Sequence, residues 1–367
     1  MLAGFRPGPG HAMRLRVIQV ASGREWRGGE RQTWLLARAL AARADLEQVI
    51  VTRRDSELAH RATGAGLSVV ETAWTLGPDP RACRAVLRAL GPGPGIVHAH
   101  DAHALIVAGV AARLRGIPLI ATRRVDFPLR RPGFWRRADR VLAVSDAVRR
   151  VLLASGIPAP QIQVVRSAVD TSPAVAPADL PGLLGLGPDA EIAITVGALV
   201  RHKDPDTLIR AAALLRDTRP RLHWVLVGDG PLAPALARQI RAAGLVGRVH
   251  LLGRVADPLP LVAAAACFVA SSRAEGLNTS ILDALALGVP VVGTDAGGIP
   301  EALAGGAGLL VPRENPAALA GAVERVLGSP ALRAALGAAA RAARPRWSVE
   351  RMAAEVLSVY RSLEFAR

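Results

Sequence analysis

Apolar positions along this chain gather in short unbroken runs, separated by longer stretches whose apolar residues recur at helical spacing. The first run, LRVIQVA at 15–21, reads as a buried strand. The runs at 48–51, 67–70, IVHAH, 117–122, 141–144 and 162–165 repeat it. Between them, LLARALAAR, 55–63, Pro80–Leu90, ALIVAGVAARL and the stretch after Ser145 have the period of amphipathic helices. After a Pro-, Ala- and Gly-rich segment, TSPAVAPADLPGLLGLGPDA, the alternation starts again. Strands are expected at 192–196, in WVLVGDG and RVHLLGRV, and at 266–270, 289–292 and 308–311. Asp204 with Pro205, and Asn278 to Ser280, have the chemistry of helix starts, and helices are expected over 316–344 and 347–363.

Strands alternating with helices predict an α/β protein with parallel, doubly wound sheets. Two rounds of alternation predict two Rossmann-like domains facing across a cleft. Their bounds are 14–172 and 190–345, with 173–189 as linker and 346–367 as a C-terminal helix packing back on the first domain. Residues 1–13 read as a disordered extension, because Met13 directly precedes the first strand.

Composition narrows the class. At 367 residues the chain exceeds the usual size of one core. No apolar run reaches the ~18 residues of a membrane span, and the N-terminus has no apolar signal core, so a cytoplasmic location is expected. Cys83 and Cys267 are far apart and read as thiols in a reducing compartment. The net charge of +16 favours anionic partners. The arginines are spread along the chain without interleaved aromatics, which argues against a specific nucleic-acid partner. Peripheral attraction to the inner face of the cell membrane suits the same charge. Lys203 is the only lysine in a chain that otherwise writes Arg, as though one position needs a compact ammonium.

The chemistry concentrates in SSRAEGLNTSILDALALGVPVVGTDAGGIPE, residues 271–301. It places two strand-end loops side by side, each opening a helix, where backbone N–H groups and partial positive charge suit a phosphate. Gly28 and Gly29 follow the first strand and allow close backbone approach to a ligand, or simply a tight turn. HAHDAH, residues 98–103, invites a metal reading. No other ligand cluster completes a site, so the non-metal reading is favoured, with Asp101 capping the next helix and the histidines facing the cleft.

Together these motifs resemble glycosyltransferase family 4, the retaining, nucleotide-sugar-dependent enzymes of GT-B fold. The resemblance rests on Glu275 and Asp283 in EGLNTSILD, GALVRHKD ending near Lys203, and the Gly28–Gly29 turn. LVGDGPL and DAGGIPE are accessory matches. It implies that Lys203, with Arg201, holds the donor diphosphate. It implies that Glu275 bonds the donor sugar beside the amides of Gly276 and Leu277, and that Asp283 reaches the ribose. Gly253, Arg254 and Val255 would border the base. Gly28 and Gly29 would close over the phosphate or the acceptor. His100, Arg124 and Glu275 are the candidate catalytic residues. No metal or other cofactor is expected, only the nucleotide-sugar co-substrate. The implied activity is hexosyl transfer to a cell-envelope lipid or polysaccharide. A GT-B nucleotide-sugar epimerase and a catalytically reduced nucleotide-sugar-binding protein are the alternatives. Three positions depart from the family pattern: Asp283 stands where glutamate is usual, Ala198 where arginine is, and Arg124 near the place of a histidine.

Overall fold

The computed structural model describes residues 14–364 except 76, 94 and 172–174. The extension expected over 1–13 lies outside the described residues, as does the start of the 173–189 linker.

The first sheet contains β1 (Leu15–Ala21), β2 (Leu46–Arg53), β3 (Val69–Thr72), β4 (Gly95–Ala99), β5 (Leu119–Arg123), β6 (Arg140–Ala143) and β7 (Ile162–Val164). They pair in parallel in the order β3-β2-β1-β4-β5-β6-β7. The second contains β8 (Glu191–Val196), β9 (Leu222–Val227), β10 (Val249–Gly253), β11 (Cys267–Ala270), β12 (Val291–Thr294) and β13 (Gly308–Val311). Its order, also parallel, is β10-β9-β8-β11-β12-β13. Central strands of such sheets are covered on both faces, which is why Val17, Ile18 and Val20, or Cys267, Phe268 and Val269, are apolar without alternation and fully buried. Strand order reverses between β1 and β4 in one sheet and between β8 and β11 in the other. Those switch points are where open α/β sheets leave a crevice at the strands' carboxyl ends.

Helix starts follow the capping chemistry. Asp101 accepts from His103 N and Ala104 N, Ser145 from Val148 N, Asp204 from Thr207 N and Asn278 from Ser280 N and Ile281 N. The helix expected at LLARALAAR begins well before it, at Gly28, and runs to Ala41. The glycine pair therefore forms the helix's first turn and not a turn ahead of it. In the expected linker, Leu180–Leu183 is a short helix with Leu180 fully buried, and Ala178 N–H donates to Pro260 O at 3.0 Å. That part of the segment packs with the second domain.

The final helix, Val349–Glu364, crosses to the first domain. Met352, Val356, Leu357 and Tyr360 join Leu36, Leu40, Ile120 and Leu142 in one apolar cluster.

Candidate active site

The loops after β1, β4, β5, β8 and β11 meet between the two domains. After β8, residues Arg201–Lys203 make a single 3-10 turn, closed by Asp204 at a φ of 50°. Asp204 is held in that left-handed conformation by Thr207 Oγ1 at 2.7 Å and by Arg273. Ser271 at the end of β11 donates to the carbonyls of Lys203 and Asp204 at 3.1 and 2.8 Å. The turn is thus tied to the neighbouring strand, and Lys203 Nζ forms an ion pair with Glu275. Both side chains are mostly buried. Two residues far apart in sequence, expected on the donor's diphosphate and sugar, stand in direct contact.

Arg201 and Arg254 are exposed and pair with no described residue. Gly253 has a φ of 68° and its carbonyl accepts from Gly228 N–H at 2.7 Å, so the end of β10 is anchored next to β9.

The loop from Glu275 to Asn278 is pressed against the first domain. Glu275 N–H donates to Asp126 Oδ2 at 2.9 Å, and Ser145 Oγ donates to Gly276 O at 2.6 Å. A Cβ on Gly276 would sit 1.9 Å from Arg124 O, a contact only glycine tolerates. The same arginine's side chain lies over Gly29, whose added Cβ would be 3.6 Å from Arg124 Cδ, while Gly28 abuts Thr279 Oγ1. The N–H groups of Gly276 and Leu277 make no hydrogen bond to a described residue. They remain available at the start of the helix Thr279–Leu287.

Asp283, on that helix, is engaged by a residue the sequence did not single out. Arg31 grips it from the first domain, Nη1 to Oδ2 at 2.5 Å and Nη2 to Oδ1 at 2.9 Å. Burial raises the Asp283 carboxyl above its ordinary value, and Arg31 pulls it the other way. A ribose at Asp283 must share or displace this grip.

His98 and His100 are engaged by neighbouring side chains. His98 Nδ1 meets Tyr360 Oη and its Nε2 meets Thr122 Oγ1, both at 2.7 Å. His100 Nε2 meets Gln19 Oε1 at 2.6 Å, and its Nδ1 meets Arg124 Nη2 at 3.0 Å. Burial pushes His98 down to about 3 and His100 well below its ordinary value, so both are neutral at pH 7. Among the described residues no group of three or more His, Cys, Asp or Glu side chains could hold a metal ion. Arg124 is lowered to about 10 by burial and stays cationic. Among the described residues its buried Nε has no partner and no carboxylate is hydrogen-bonded to it, while the charges of Glu30 and Asp101 only partly offset its burial. An under-compensated cation of this kind is expensive unless something anionic visits it.

A further pocket of 410 Å³ lies at the carboxyl ends of β1, β2 and β3, lined by Arg24, Arg53, Arg54, Asp55, Thr72 and Trp74 among others. Arg53 is buried and spends two N–H groups on Ser22 O and Trp74 O, whereas Arg24 and Arg54 are exposed and pair with no described residue. Arg24, Arg31, Gln19, Asp126 and Tyr360 were not legible as site residues. Only Tyr360 carried a signal, as the sole tyrosine of the chain.

Comparison with known proteins agrees with this frame. A profile described as Glycosyltransferase Family 4 matches residues 26–173, and one described as Glycosyl transferases group 1 matches 190–329. A D-inositol 3-phosphate glycosyltransferase of Nocardiopsis dassonvillei is 34% identical over 248 residues, 62% of this chain and 56% of that protein. The protein of the same name from Acidothermus cellulolyticus is 31% identical over 303 residues, 72% of this chain and 66% of its own length. The chain spans about half the length of the first curated relatives it matches. Among solved structures, Anabaena Alr3699/HepE in complex with UDP and glucose superposes with a TM-score of 0.84 at 21% identity, over 95% of this chain and 100% of that one. A glycosyltransferase from Rickettsia africae gives 0.82 at 17% identity, over 96% and 100%. With each domain matched by its own glycosyltransferase profile and the whole two-domain frame shared, the chain belongs to the family-4-type glycosyltransferases of GT-B fold.

Proposed function

We propose that this chain moves a hexose from a nucleotide-diphosphate sugar to a hydroxyl of an acceptor that carries an anionic group. The observation that carries the donor half is the Lys203–Glu275 pair, set at the β8/β11 switch point beside the unengaged amides of Gly276 and Leu277. Breaking the bond between the sugar's anomeric carbon and the phosphate oxygen puts charge on the leaving diphosphate. Lys203, Arg124 and the helix start supply fixed positive charge there, so the reaction is read as metal-independent. Glu275 accepts hydrogen bonds from sugar hydroxyls once the donor's diphosphate has drawn Lys203 away. The anomeric carbon then bonds to the acceptor oxygen, whose proton goes to the departing diphosphate, with retention of configuration. Solved neighbours bound to UDP or UDP-glucose favour a uridine donor.

For the acceptor, the Arg24–Arg53–Arg54 pocket favours a phosphate or carboxylate, and the relatives named as D-inositol 3-phosphate glycosyltransferases point the same way. The cell-envelope lipid or polysaccharide acceptor finds no support in those names. Location at a membrane face rests on net charge alone. Among the described residues no helix is long and apolar enough to cross a membrane.

A thermal-shift panel of UDP, GDP, ADP and their sugars tests the reading. A donor at 100 times its Kd adds about 2.7 kcal/mol to stability. One series should raise the melting temperature. Lys203→Ala should lose that shift and ~10²–10³ in turnover with the fold intact. Silence across all three series, or near-parental turnover in Lys203→Ala, would overturn it.

A further inference from the structure

The loop that carries Glu275 is held partly by its own domain and partly by the other. Arg273 N–H and Ala274 N–H donate to His202 O at 2.8 and 3.3 Å, and Gly298 N–H donates to Glu275 O at 3.0 Å, all within the second domain. Two further anchors come from the first domain. Glu275 N–H donates to Asp126 Oδ2 at 2.9 Å, and Gly276 O accepts from Ser145 Oγ at 2.6 Å. Asp126 belongs to the exit of β5, and its neighbours press on the same loop. A Cβ on Gly276 would sit 1.9 Å from Arg124 O, and the Phe127 ring stands edge-on to His202 with centroids 5.4 Å apart. Gly297 makes room for the carboxylate, since a Cβ there would lie 2.6 Å from Asp126 Oδ2. The other Asp126 oxygen, Oδ1, is buried and has no hydrogen-bond partner among the described residues. Burying a carboxylate oxygen unpaired costs stability, so this contact is poorly explained as a fastening for its own sake.

From this arrangement we infer that Asp126 is a positioning residue that completes the Glu275 loop for the donor's sugar only when the cleft is closed. In the empty site the Glu275 carboxylate is fixed by Lys203. On the reading proposed above, on which this inference rests, the donor diphosphate draws Lys203 away. The side chain then keeps only a long contact from Ser272 Oγ, at 3.4 Å. From that moment its direction is set by its own main chain, whose carbonyl is held by Gly298 and whose N–H is held by Asp126. The second bond has one sense, because a peptide N–H donates and a carboxylate oxygen accepts. No other described acceptor is hydrogen-bonded to that N–H. Without Asp126 the peptide between Ala274 and Glu275 loses its hold on that side, and the carboxylate moves with it. The Glu275 site is therefore finished by a residue of the opposite domain, and an open cleft leaves it loose.

The test compares Asp126→Ala with Asp126→Asn, whose side-chain oxygen can still accept from Glu275 N–H. Hydrogen exchange of the Glu275 amide reports the hold without any donor. It should quicken about tenfold or more in Asp126→Ala and stay near the parental rate in Asp126→Asn. Turnover of UDP-glucose to UDP should fall about ten- to a hundredfold in kcat in Asp126→Ala, as for a displaced substrate-binding group, and Asp126→Asn should recover most of it. The Kd of UDP, which lacks the sugar, should move by less than about twofold, and the radius of gyration should stay parental. Unchanged exchange at Glu275, parental kcat in Asp126→Ala, or no recovery in Asp126→Asn would overturn the inference. So would a larger radius with weaker UDP binding, which would make Asp126 a fastener of the two domains and nothing more. If the parent neither binds nor turns over UDP-glucose, the donor reading fails by itself, and the exchange rate still decides whether Asp126 holds the loop.

Discussion

At the scale of single residues, the two buried histidines make a prediction about pH. His98 has a folded pKa of about 3 against an unfolded value near 6.5, and His100 lies well below its ordinary value. Below about pH 6.5 the unfolded chain takes up protons that the folded one refuses, so stability is complete above that pH and falls as the solution is acidified. The slope is about 1.4 kcal/mol per pH unit for each histidine. Urea midpoints measured between pH 7 and pH 5, above the carboxylate range, should fall steadily. His98→Gln should lower that slope by about 1.4 kcal/mol per pH unit, because Gln brings no titrating ring, while His100 and the also lowered His202, His223 and His250 keep contributing. A flat profile over that window would mean that at least one of the histidines takes up a proton inside the fold. Within HAHDAH, every ring nitrogen of His98 and His100 already has a side-chain partner.

At the scale of elements, glycines show how loops within a domain differ from loops between domains. A Cβ on Gly228, whose φ is 137°, would lie 2.0 Å from Gly197 O, inside the second domain. A Cβ on Gly276 would lie 1.9 Å from Arg124 O, across the cleft, and its backbone is not in the left-handed region. Gly228→Ala should therefore cost about 1–3 kcal/mol. Each kcal/mol lowers the melting temperature of a domain this size by ~2–4 °C. Gly276→Ala can relieve its clash by parting the domains, so it should leave the melting temperature within ~2 °C and lower turnover about a hundredfold or more. A large thermal loss in Gly276→Ala would show that the cleft does not open. These positions also mark the limit of sequence reading. The strand–helix alternation and the caps Ser145, Asp204 and Asn278 were legible, because period and capping are local. Gly28 was read as a turn residue because the apolar period starts only at Leu35, and the first turn of the helix rests on the other domain at Thr279. Arg31 and Asp126 were invisible because each acts on a residue of the other domain, and no local pattern records that.

At the scale of the molecule, the Arg31–Asp283 grip couples closure of the cleft to donor binding. Removing one partner of a buried ion pair costs ~3–5 kcal/mol when the remaining charge stays buried. Here the pair joins two domains, so Arg31→Ala has an escape: the cleft opens and water reaches Asp283. The other hydrogen bonds across the cleft run from Glu275 N–H to Asp126, from Ser145 to Gly276 O in a buried setting, and from Asp146 N–H and Arg166 to Glu301; of these only Arg166–Glu301 is an ion pair between side chains. Arg31→Ala should accordingly retain most of its thermal stability while its radius of gyration in solution scattering increases. Apparent affinity falls in proportion to the closed fraction, so a variant closed one-tenth of the time binds about tenfold more weakly. UDP should bind Arg31→Ala more weakly by about that factor and should restore the parental radius at saturation. Tighter UDP binding with an unchanged radius would mean the opposite: that Arg31 merely occupies the acid a ribose needs, and that the domains are held together without it.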